Sequence, residues 1–170
     1  MCQPGGDAQV RNPPVPPMLT ALVQAGLLGI EDKEFANLDC CPSCGGSVTG
    51  YDSKERRFAV LRDDSGTRPI NVRVRRFSCR ECGRISPANA PFYPETRLGS
   101  PVVDLCVVLS QGMPASRVAR VMEDLSLVVD RGTVRNYAFR DFGEIPVTSF
   151  YGISIPRSLI TLSLLGMQGP

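Results

Sequence analysis

The sequence predicts an α+β chain in which a small β ribbon precedes a unit of three short helices. Two Cys-x-x-Cys-Gly units enclose a stretch where apolar and basic residues alternate, which is the period of a β-strand. Farther along, apolar residues recur at helical spacing in three successive segments. A lead rich in glycine and proline precedes both parts, and we expect it to be disordered.

Composition excludes several kinds of function. The chain has 170 residues, seven cysteines and no histidine, which excludes Ser-His-Asp and Cys-His catalysis and histidine-ligated metals. It has no apolar run of about 18 residues, so we expect no membrane span. The N-terminus lacks the order of a signal peptide, which predicts a cytoplasmic protein. In that compartment cysteines more often bind metals than form disulfides.

Positive charge is concentrated in the middle of the chain. The formal charge is +2, from 19 basic and 17 acidic side chains. Residues 41–88 carry ten basic and five acidic side chains, whereas residues 1–40 carry two and five. All but two of the basic residues are arginines, whose planar guanidinium suits phosphates and guanine edges. Codon bias would give the same excess of arginine, so composition alone does not establish that the chain binds nucleic acid.

Composition divides the chain into five segments. Proline clusters mark the lead and a later linker, and an apolar helix pattern that begins at Met18 stops at Gly29. The last 28 residues are apolar and almost uncharged. The predicted segments are a disordered lead with a short helix (1–39), the ribbon (40–86), the linker (87–100), the three helices (101–142) and an apolar tail of unknown structure (143–170).

The paired cysteines predict a metal site. Two residues separate Cys41 from Cys44, and Cys79 from Cys82, so that one tight turn directs both sulfurs of a pair to a single ion. The glycine after each pair permits the positive φ that such a turn needs. Four thiolates form a closed tetrahedral site that suits structural Zn²⁺ and leaves no open position for water. We therefore predict structural zinc and no small-molecule substrate, with an iron–sulfur cluster as the alternative.

The residues between the cysteine pairs predict the strands of a zinc ribbon. Ile70, Val72 and Val74 alternate with polar residues, so that one face is apolar and the other basic. Residues 57–62 are the expected partner strand, and residues 63–66 supply turn chemistry. Because so small a sheet has little core, metal binding is expected to supply most of its folding free energy, roughly 10–16 kcal/mol in zinc-finger peptides. The side chains expected to contact phosphates are Arg73, Arg75 and Arg76.

Three apolar patterns predict the helices of a helix-turn-helix unit. Residues 102–109 and 118–125 repeat the i, i+3, i+4, i+7 spacing, and Asp130 is a good N-cap for a third helix. Arginine and asparagine on that third helix fit base readout, because they pair with guanine and adenine respectively. A plain three-helix bundle is the alternative. The residues expected to contact DNA are Arg131, Thr133, Arg135, Asn136 and Arg140.

The order of these parts, together with three short motifs, resembles a known family. The motifs are Cys79-Arg80-Glu81-Cys82-Gly83-Arg84, Gln111-Gly112-Met113 with Val118-Ala119-Arg120-Val121, and Arg131-Gly132-Thr133-Val134. They resemble the N-terminal DNA-binding part of prokaryotic insertion-sequence transposases, in which a zinc ribbon precedes a helix-turn-helix. The resemblance covers residues 41–142.

The resemblance implies a zinc-dependent protein that binds the terminal repeats of a mobile element. Pro114 departs from the family, whose helices often carry a Ser or Thr cap there. The family's catalytic core is a ribonuclease-H-like domain with three metal-binding carboxylates, but Glu144 is the one acidic residue among the last 28. We therefore expect a truncated, split or repurposed transposase that binds DNA without cutting it and is not an enzyme.

Partners follow from the same reasoning. Double-stranded DNA is the expected partner, which implies a nucleoid-associated protein. The apolar tail could begin a missing domain, pack on the helices, or contact a second copy in a homo-dimer or a separate catalytic chain. Two alternatives stay open: a protein-interaction or transcription-regulatory module, and an RNA-binding ribbon protein. The scarcity of aromatic residues in the ribbon argues against RNA.

Overall fold

A computed structural model of the chain describes residues 14–167, which form five helices and six strands in two sheets. The helices are α1 (Pro17–Ile30), α2 (Ser100–Ser110), α3 (Ala115–Asp124), α4 (Arg131–Ala138) and α5 (Arg157–Met167). The strands are β1 (Glu34–Phe35), β2 (Val48–Asp63), β3 (Gly66–Cys79), β4 (Ile85–Pro87), β5 (Val147–Phe150) and β6 (Ile153–Pro156).

A long antiparallel hairpin, β2–β3, is the centre of the first sheet. Its register runs from Val48 opposite Cys79 to Asp63 opposite Gly66, with two irregularities in β2. At the turn the Asp63 carboxylate accepts hydrogen bonds from the N–H and hydroxyl of Ser65, at 2.9 and 2.5 Å. Strand β1 joins the other edge of β3 in parallel, and β4 pairs with the end of β3 that carries the second cysteine pair. The hairpin therefore joins the cysteines at one end to the turn at the other.

The two halves of the hairpin differ in burial. Near the turn, Phe58, Ile70 and Val72 are completely buried, and they belong to one core that also includes residues of all five helices. Residues 50–55, in the half near the cysteines, are all exposed. The expectation that the ribbon has little core of its own therefore holds for one half only, because the other half is buried against helices.

The predicted helix-turn-helix unit is wrong, although helices α2, α3 and α4 form in the predicted region. The connection between α3 and α4 is hydrogen-bonded to the hairpin: Arg62 N–H donates to the Ser126 carbonyl at 2.8 Å, and Val128 N–H to the Val60 carbonyl at 2.9 Å. Helix α2 is buried along most of its length. The three helices are thus part of the same core as the sheet. Periodicity showed which faces are buried but not what buries them.

Helix α1 and the C-terminal segment pack on each other. Helix α1 continues through Gly29 to Ile30, and α5 lies against it so closely that a Cβ at Gly26 would come within 2.7 Å of the Ser163 Cα. Strands β5 and β6 form a second, two-stranded sheet just before α5. The short helix predicted from Met18 is present as α1, and it runs two residues beyond Leu28, to Ile30. The lead before this helix is predicted to be disordered. The part of that prediction on residues 1–13 lies outside the described residues.

The segment expected to be a linker is fixed to the sheet. After β4, the Ala88 N–H donates to the Arg75 carbonyl at 2.7 Å, and the Gly99 N–H to the Phe58 carbonyl at 2.8 Å. Between these points Thr96 is buried, and its hydroxyl donates to the Tyr93 carbonyl at 2.9 Å. The prolines of this segment make it irregular, and backbone hydrogen bonds join its two ends to β3 and β2.

Candidate functional site

The four predicted cysteine ligands come together in space. Their sulfur atoms all lie within 4.8 Å of one another. Cys41 Sγ is 3.7 Å from Cys82 Sγ, and Cys44 Sγ is 3.5 Å from Cys79 Sγ. A tetrahedral zinc with Zn–S bonds of about 2.3 Å requires sulfur–sulfur distances of about 3.8 Å. The cluster can hold a metal ion, and all four cysteines are free of disulfides.

Two turns of the same shape present these sulfurs. Gly45 N–H donates to the Cys41 carbonyl at 2.9 Å, and Gly83 N–H to the Cys79 carbonyl at 3.1 Å. Both glycines have positive φ, +74° and +72°, which confirms the reason the sequence requires glycine after each pair. The first turn precedes β2 and the second follows β3, so the hairpin register brings them side by side.

Backbone N–H groups favour the ionised form of the first cysteine in each pair. The N–H groups of Ser43 and Cys44 lower the pKa of Cys41 to about 6. The N–H of Cys82, 3.5 Å from the sulfur of Cys79, lowers the pKa of Cys79. Thiolates are the metal-binding form of cysteine, so these N–H groups favour metal binding by Cys41 and Cys79.

The crowding of sulfurs has the opposite effect on Cys44. The Gly46 N–H, 3.4 Å from its sulfur, lowers the pKa, but the neighbouring sulfurs of Cys79 and Cys82 raise it more, to about 12. Four thiolates so close together repel one another unless a cation lies between them. This electrostatic arrangement suits a divalent metal with several thiolate ligands.

The other cysteines lie apart from the cluster. Cys40 is exposed. Cys106 is completely buried in α2, with its sulfur 3.5 Å from that of Met122, and burial raises its pKa to about 12. Cys2 lies outside the described residues. Spacing therefore selected the same four cysteines that the fold brings together.

The arginines of β3 lie among acidic or polar neighbours. Arg73 is exposed, but its partners in the sheet are Glu55 on β2 and Glu34 on β1, so two carboxylates share its row. Arg76 donates two hydrogen bonds to the carboxylate of Asp52, one of them from Nε at 2.6 Å. These neighbours reduce the positive charge that Arg73 and Arg76 present to a phosphate.

Arg75 differs from Arg73 and Arg76, the other two arginines of β3 that are expected to contact phosphates. Its guanidinium lies across Gly50, where a Cβ would be 3.3 Å from Nη2. Its partner on β2 is Ser53, which carries no charge. Arg75 is exposed and is therefore the β3 arginine with the least acidic surroundings.

Helix α4 brings part of its predicted set together on one exposed face. Arg131, Arg135 and Asn136 are exposed, and among the described residues their side chains have no hydrogen-bond or ion-pair partner. Thr133 is used within the helix: its N–H and hydroxyl both donate to the N-cap, Asp130, at 2.9 and 2.6 Å. The predicted N-cap is confirmed.

Arg140 has a structural position. Its guanidinium donates to the carbonyls of Pro94 and Glu95, at 2.9 and 3.2 Å, and lies over the ring of Phe142 at 4.9 Å. These contacts attach the end of α4 to residues 88–99, the segment that crosses the sheet from β3 to β2. The guanidinium uses two of its five N–H donors on protein carbonyls, so its position is set by the protein.

Sequence reasoning missed Phe139, which is 84% exposed and directly follows α4. It lies four residues after Arg135 and eight after Arg131, so the three side chains follow one line along the helix. The sequence contains the information needed to find it, because the helical spacing that identifies the core residues also places position 139 on the exposed face.

Comparison with known proteins gives no relatives. No family model matches the chain, and no curated protein or solved structure shows significant similarity to it. Among the described residues, every helix is too short or too polar to cross a bilayer. Arguments about function therefore start from the cysteine cluster and the exposed side chains.

Proposed function

We propose that this chain is a zinc-stabilised protein that binds double-stranded DNA through the exposed face of α4. The observation that carries the proposal is the row of exposed side chains Arg131, Arg135 and Asn136, which have no hydrogen-bond or ion-pair partner within residues 14–167. Arginine binds the guanine edge with two hydrogen bonds, and asparagine does the same with adenine. The diameter of an α-helix with its side chains, about 10–12 Å, fits the major groove, which is about 12 Å wide.

Zinc is the metal that the donor set favours. Four thiolates can hold zinc or an iron–sulfur cluster, but the sulfur–sulfur distances of 3.7 and 3.5 Å match the roughly 3.8 Å around a single tetrahedral ion, which supports zinc. Zinc bound there would hold the exposed end of the β2–β3 hairpin together. Measurement of bound zinc, iron and acid-labile sulfide in purified protein tests this: zinc near one ion per chain supports it, and iron with sulfide contradicts it.

Duplex selection followed by fluorescence anisotropy tests the DNA-binding proposal. A pool of random duplexes is enriched on the purified protein, and the affinity of the selected duplex is compared with that of a shuffled one. Arg135→Ala is expected to lower affinity for the selected duplex by about 5- to 150-fold, the value of one bidentate base contact, with a smaller effect on the shuffled one. Arg157→Ala removes an equal charge from α5 and is the matched control.

Three outcomes contradict the proposal. Equal affinity for selected and shuffled duplexes would exclude base readout. Unchanged binding of Arg135→Ala would exclude α4 as the reading surface. Tighter binding of single-stranded RNA than of duplex DNA at the same salt concentration would favour the RNA alternative.

We propose further that the recognised duplex is a terminal repeat of a mobile element, as the motifs described above imply. Inverted repeats that flank the coding sequence are the probe. Preference for these repeats over a shuffled duplex supports the proposal, and equal affinity contradicts it.

A further inference from the structure

The strand β2 and the segment that crosses the sheet enclose an open cleft lined by arginines. Its volume is about 500 Å³. It contains three arginines and one glutamate, so its lining is positively charged. We call it the arginine cleft, and its lining residues are Glu55, Arg56, Arg57, Asn71, Thr96 and Arg97.

Two charged groups of the arginine cleft are already engaged by the protein. Arg56 Nη2 donates to the Thr96 carbonyl at 2.8 Å, and its guanidinium stacks on the Phe92 ring at 3.9 Å. The Glu55 carboxylate accepts a hydrogen bond from the Asn71 side chain at 2.9 Å. These contacts fix the two walls of the cleft, and they leave the side chains of Arg57 and Arg97 without a protein partner among the described residues.

Arg57 and Arg97 are available to a ligand. Both are exposed, and among the described residues neither side chain has a hydrogen-bond or ion-pair partner. They come from separate parts of the chain, β2 and the crossing segment, and the fold alone places them on one cleft. A pair of guanidinium groups held in this way suits phosphate oxygens, which accept charge-assisted hydrogen bonds from them.

The segment that forms one wall of the arginine cleft is hydrogen-bonded to α4 and to Arg140 just after it. The Arg97 N–H donates to the Tyr137 hydroxyl at 3.4 Å, and Arg140 holds the carbonyls of Pro94 and Glu95. Tyr137 and the base-reading residues belong to the same helix. Residues 94–97 therefore set the position of the cleft relative to the exposed face of α4.

We infer that the arginine cleft binds the phosphate backbone of the same DNA duplex that α4 reads, with Arg57 and Arg97 as the contacting side chains. The inference rests on the proposed function. Backbone contacts position a protein on the duplex and carry no base information, whereas α4 supplies the base contacts. The cleft contains one carboxylate, that of Glu55, against three arginines, whereas Arg73 lies between two glutamates and Arg76 is paired with Asp52.

The salt dependence of binding separates the two roles. Removal of one phosphate-binding side chain lowers the slope of log affinity against log salt by about 0.9, so Arg57→Ala with Arg97→Ala is expected to lower it by about 2. The double variant is expected to weaken binding to selected and shuffled duplexes alike. Arg135→Ala is expected to reduce the preference between them. Arg157→Ala, measured in parallel, is expected to retain the wild-type slope.

Folding controls keep the comparison valid. The Arg97 backbone N–H persists in alanine, and neither side chain has a partner among the described residues, so zinc content and the thermal midpoint of the double variant should match the wild type. If the thermal midpoint of the alanine variant falls, the double variant Arg57→Lys with Arg97→Lys is used instead. It keeps both positive charges but loses the planar guanidinium groups. A salt slope within about 0.5 of wild type, together with about tenfold weaker binding, would support the inference.

Failure of the inference differs from failure of the proposed function. A wild-type slope in the folded double alanine variant, with base preference still abolished in Arg135→Ala, overturns the cleft and leaves α4 in place. A lower slope in the double variant, with base preference intact in Arg135→Ala, overturns α4 as the reader and supports a phosphate site in the cleft. Absence of duplex binding in the wild-type protein overturns both.

Discussion

The sulfur of Cys41 lies 3.7 Å from the sulfur of Cys82, although the two residues are 41 positions apart. The sulfurs of Cys44 and Cys79, the inner residues of the two pairs, are 3.5 Å apart, so each short contact joins the turn before β2 to the turn after β3. A metal ion in this cluster would link the two ends of the hairpin. The half of the hairpin nearer the turn needs no such link, because Phe58, Ile70 and Val72 are buried there in the core shared with the helices.

Metal removal is expected to unfold one half of the hairpin. In the chelated protein, amide hydrogen exchange should accelerate at residues 41–56 and 76–87, while residues 58–61 stay protected, because Phe58 and Ile70 are buried in the shared core. Cys82→Ser should give the same pattern without chelator, and Cys40→Ser should exchange like the wild type. Global unfolding on chelation would contradict this division.

Arg140 is expected to contribute to stability, whereas Arg135 is expected to contribute to DNA binding. Arg140→Ala removes two hydrogen bonds from a charged donor to the carbonyls of Pro94 and Glu95, and should lower the free energy of unfolding by about 1–3 kcal/mol. Arg135→Ala removes an exposed, unpartnered side chain and should change stability by less than about 0.5 kcal/mol. Denaturant titration of both variants checks this, and equal stability of the two would contradict it.

Phe139 is expected to contribute to DNA binding and not to stability. At 84% exposure it has little packing to lose, so Phe139→Ala should unfold at the wild-type midpoint. Because it continues the line of Arg131 and Arg135, it can contact a thymine methyl group in the groove. Replacement of thymine by uracil in the selected duplex should weaken wild-type binding and have no effect on Phe139→Ala. An equal loss in both proteins would exclude this contact.

Stability is expected to fall at alkaline pH partly through Tyr93. Burial, together with the hydrogen bond from its hydroxyl to the buried carboxylate of Asp104 at 2.6 Å, raises the pKa of Tyr93. The folded protein therefore keeps this proton at a pH where the unfolded chain, with a pKa of about 10, releases it. The contribution is complete below about pH 10 and is lost as the pH rises toward the folded-state pKa.

The measurement is the free energy of unfolding between about pH 9 and pH 11 in the wild type and in Tyr93→Phe. The variant loses the hydrogen bond at every pH and should show a shallower decline, because it has one fewer tyrosine that ionises on unfolding. Ser158→Ala, which removes the other hydroxyl that donates to Asp104 at 2.6 Å, should lower stability and keep the wild-type slope. Parallel declines in wild type and Tyr93→Phe would refute the role of Tyr93.

The contact of α1 with α5 is expected to depend on Gly26. A Cβ there would meet the Ser163 Cα at 2.7 Å, which is backbone and cannot move aside as a flexible side chain could. Gly26→Ala should therefore lower stability, despite the better helix propensity of alanine, by roughly 1–3 kcal/mol. Gly112→Ala, where a Cβ meets nothing within 4 Å, is the control. Greater stability of Gly26→Ala would show that α1 and α5 do not pack in this way.

The sequence by itself determined the local features of this protein. Cysteine spacing selected the four residues whose sulfurs meet, glycine marked the two turns with positive φ, and Asp130 marked the start of α4. Each cysteine pair, each turn and the N-cap depends on residues within a few positions of one another, where covalent geometry limits the choices, whereas the register of the hairpin brings the two pairs together.

Only the tertiary structure decided which faces pack together and which charges remain available. Periodicity identifies a buried face without naming its partner, so the sequence could not show that the connection before α4 bonds to the hairpin or that α1 packs on α5. Charge along the chain, likewise, could not show that Arg73 lies beside two glutamates while Arg57 and Arg97 share one cleft. These neighbours come from distant segments, and the register of the strands and the packing of the shared core bring them together.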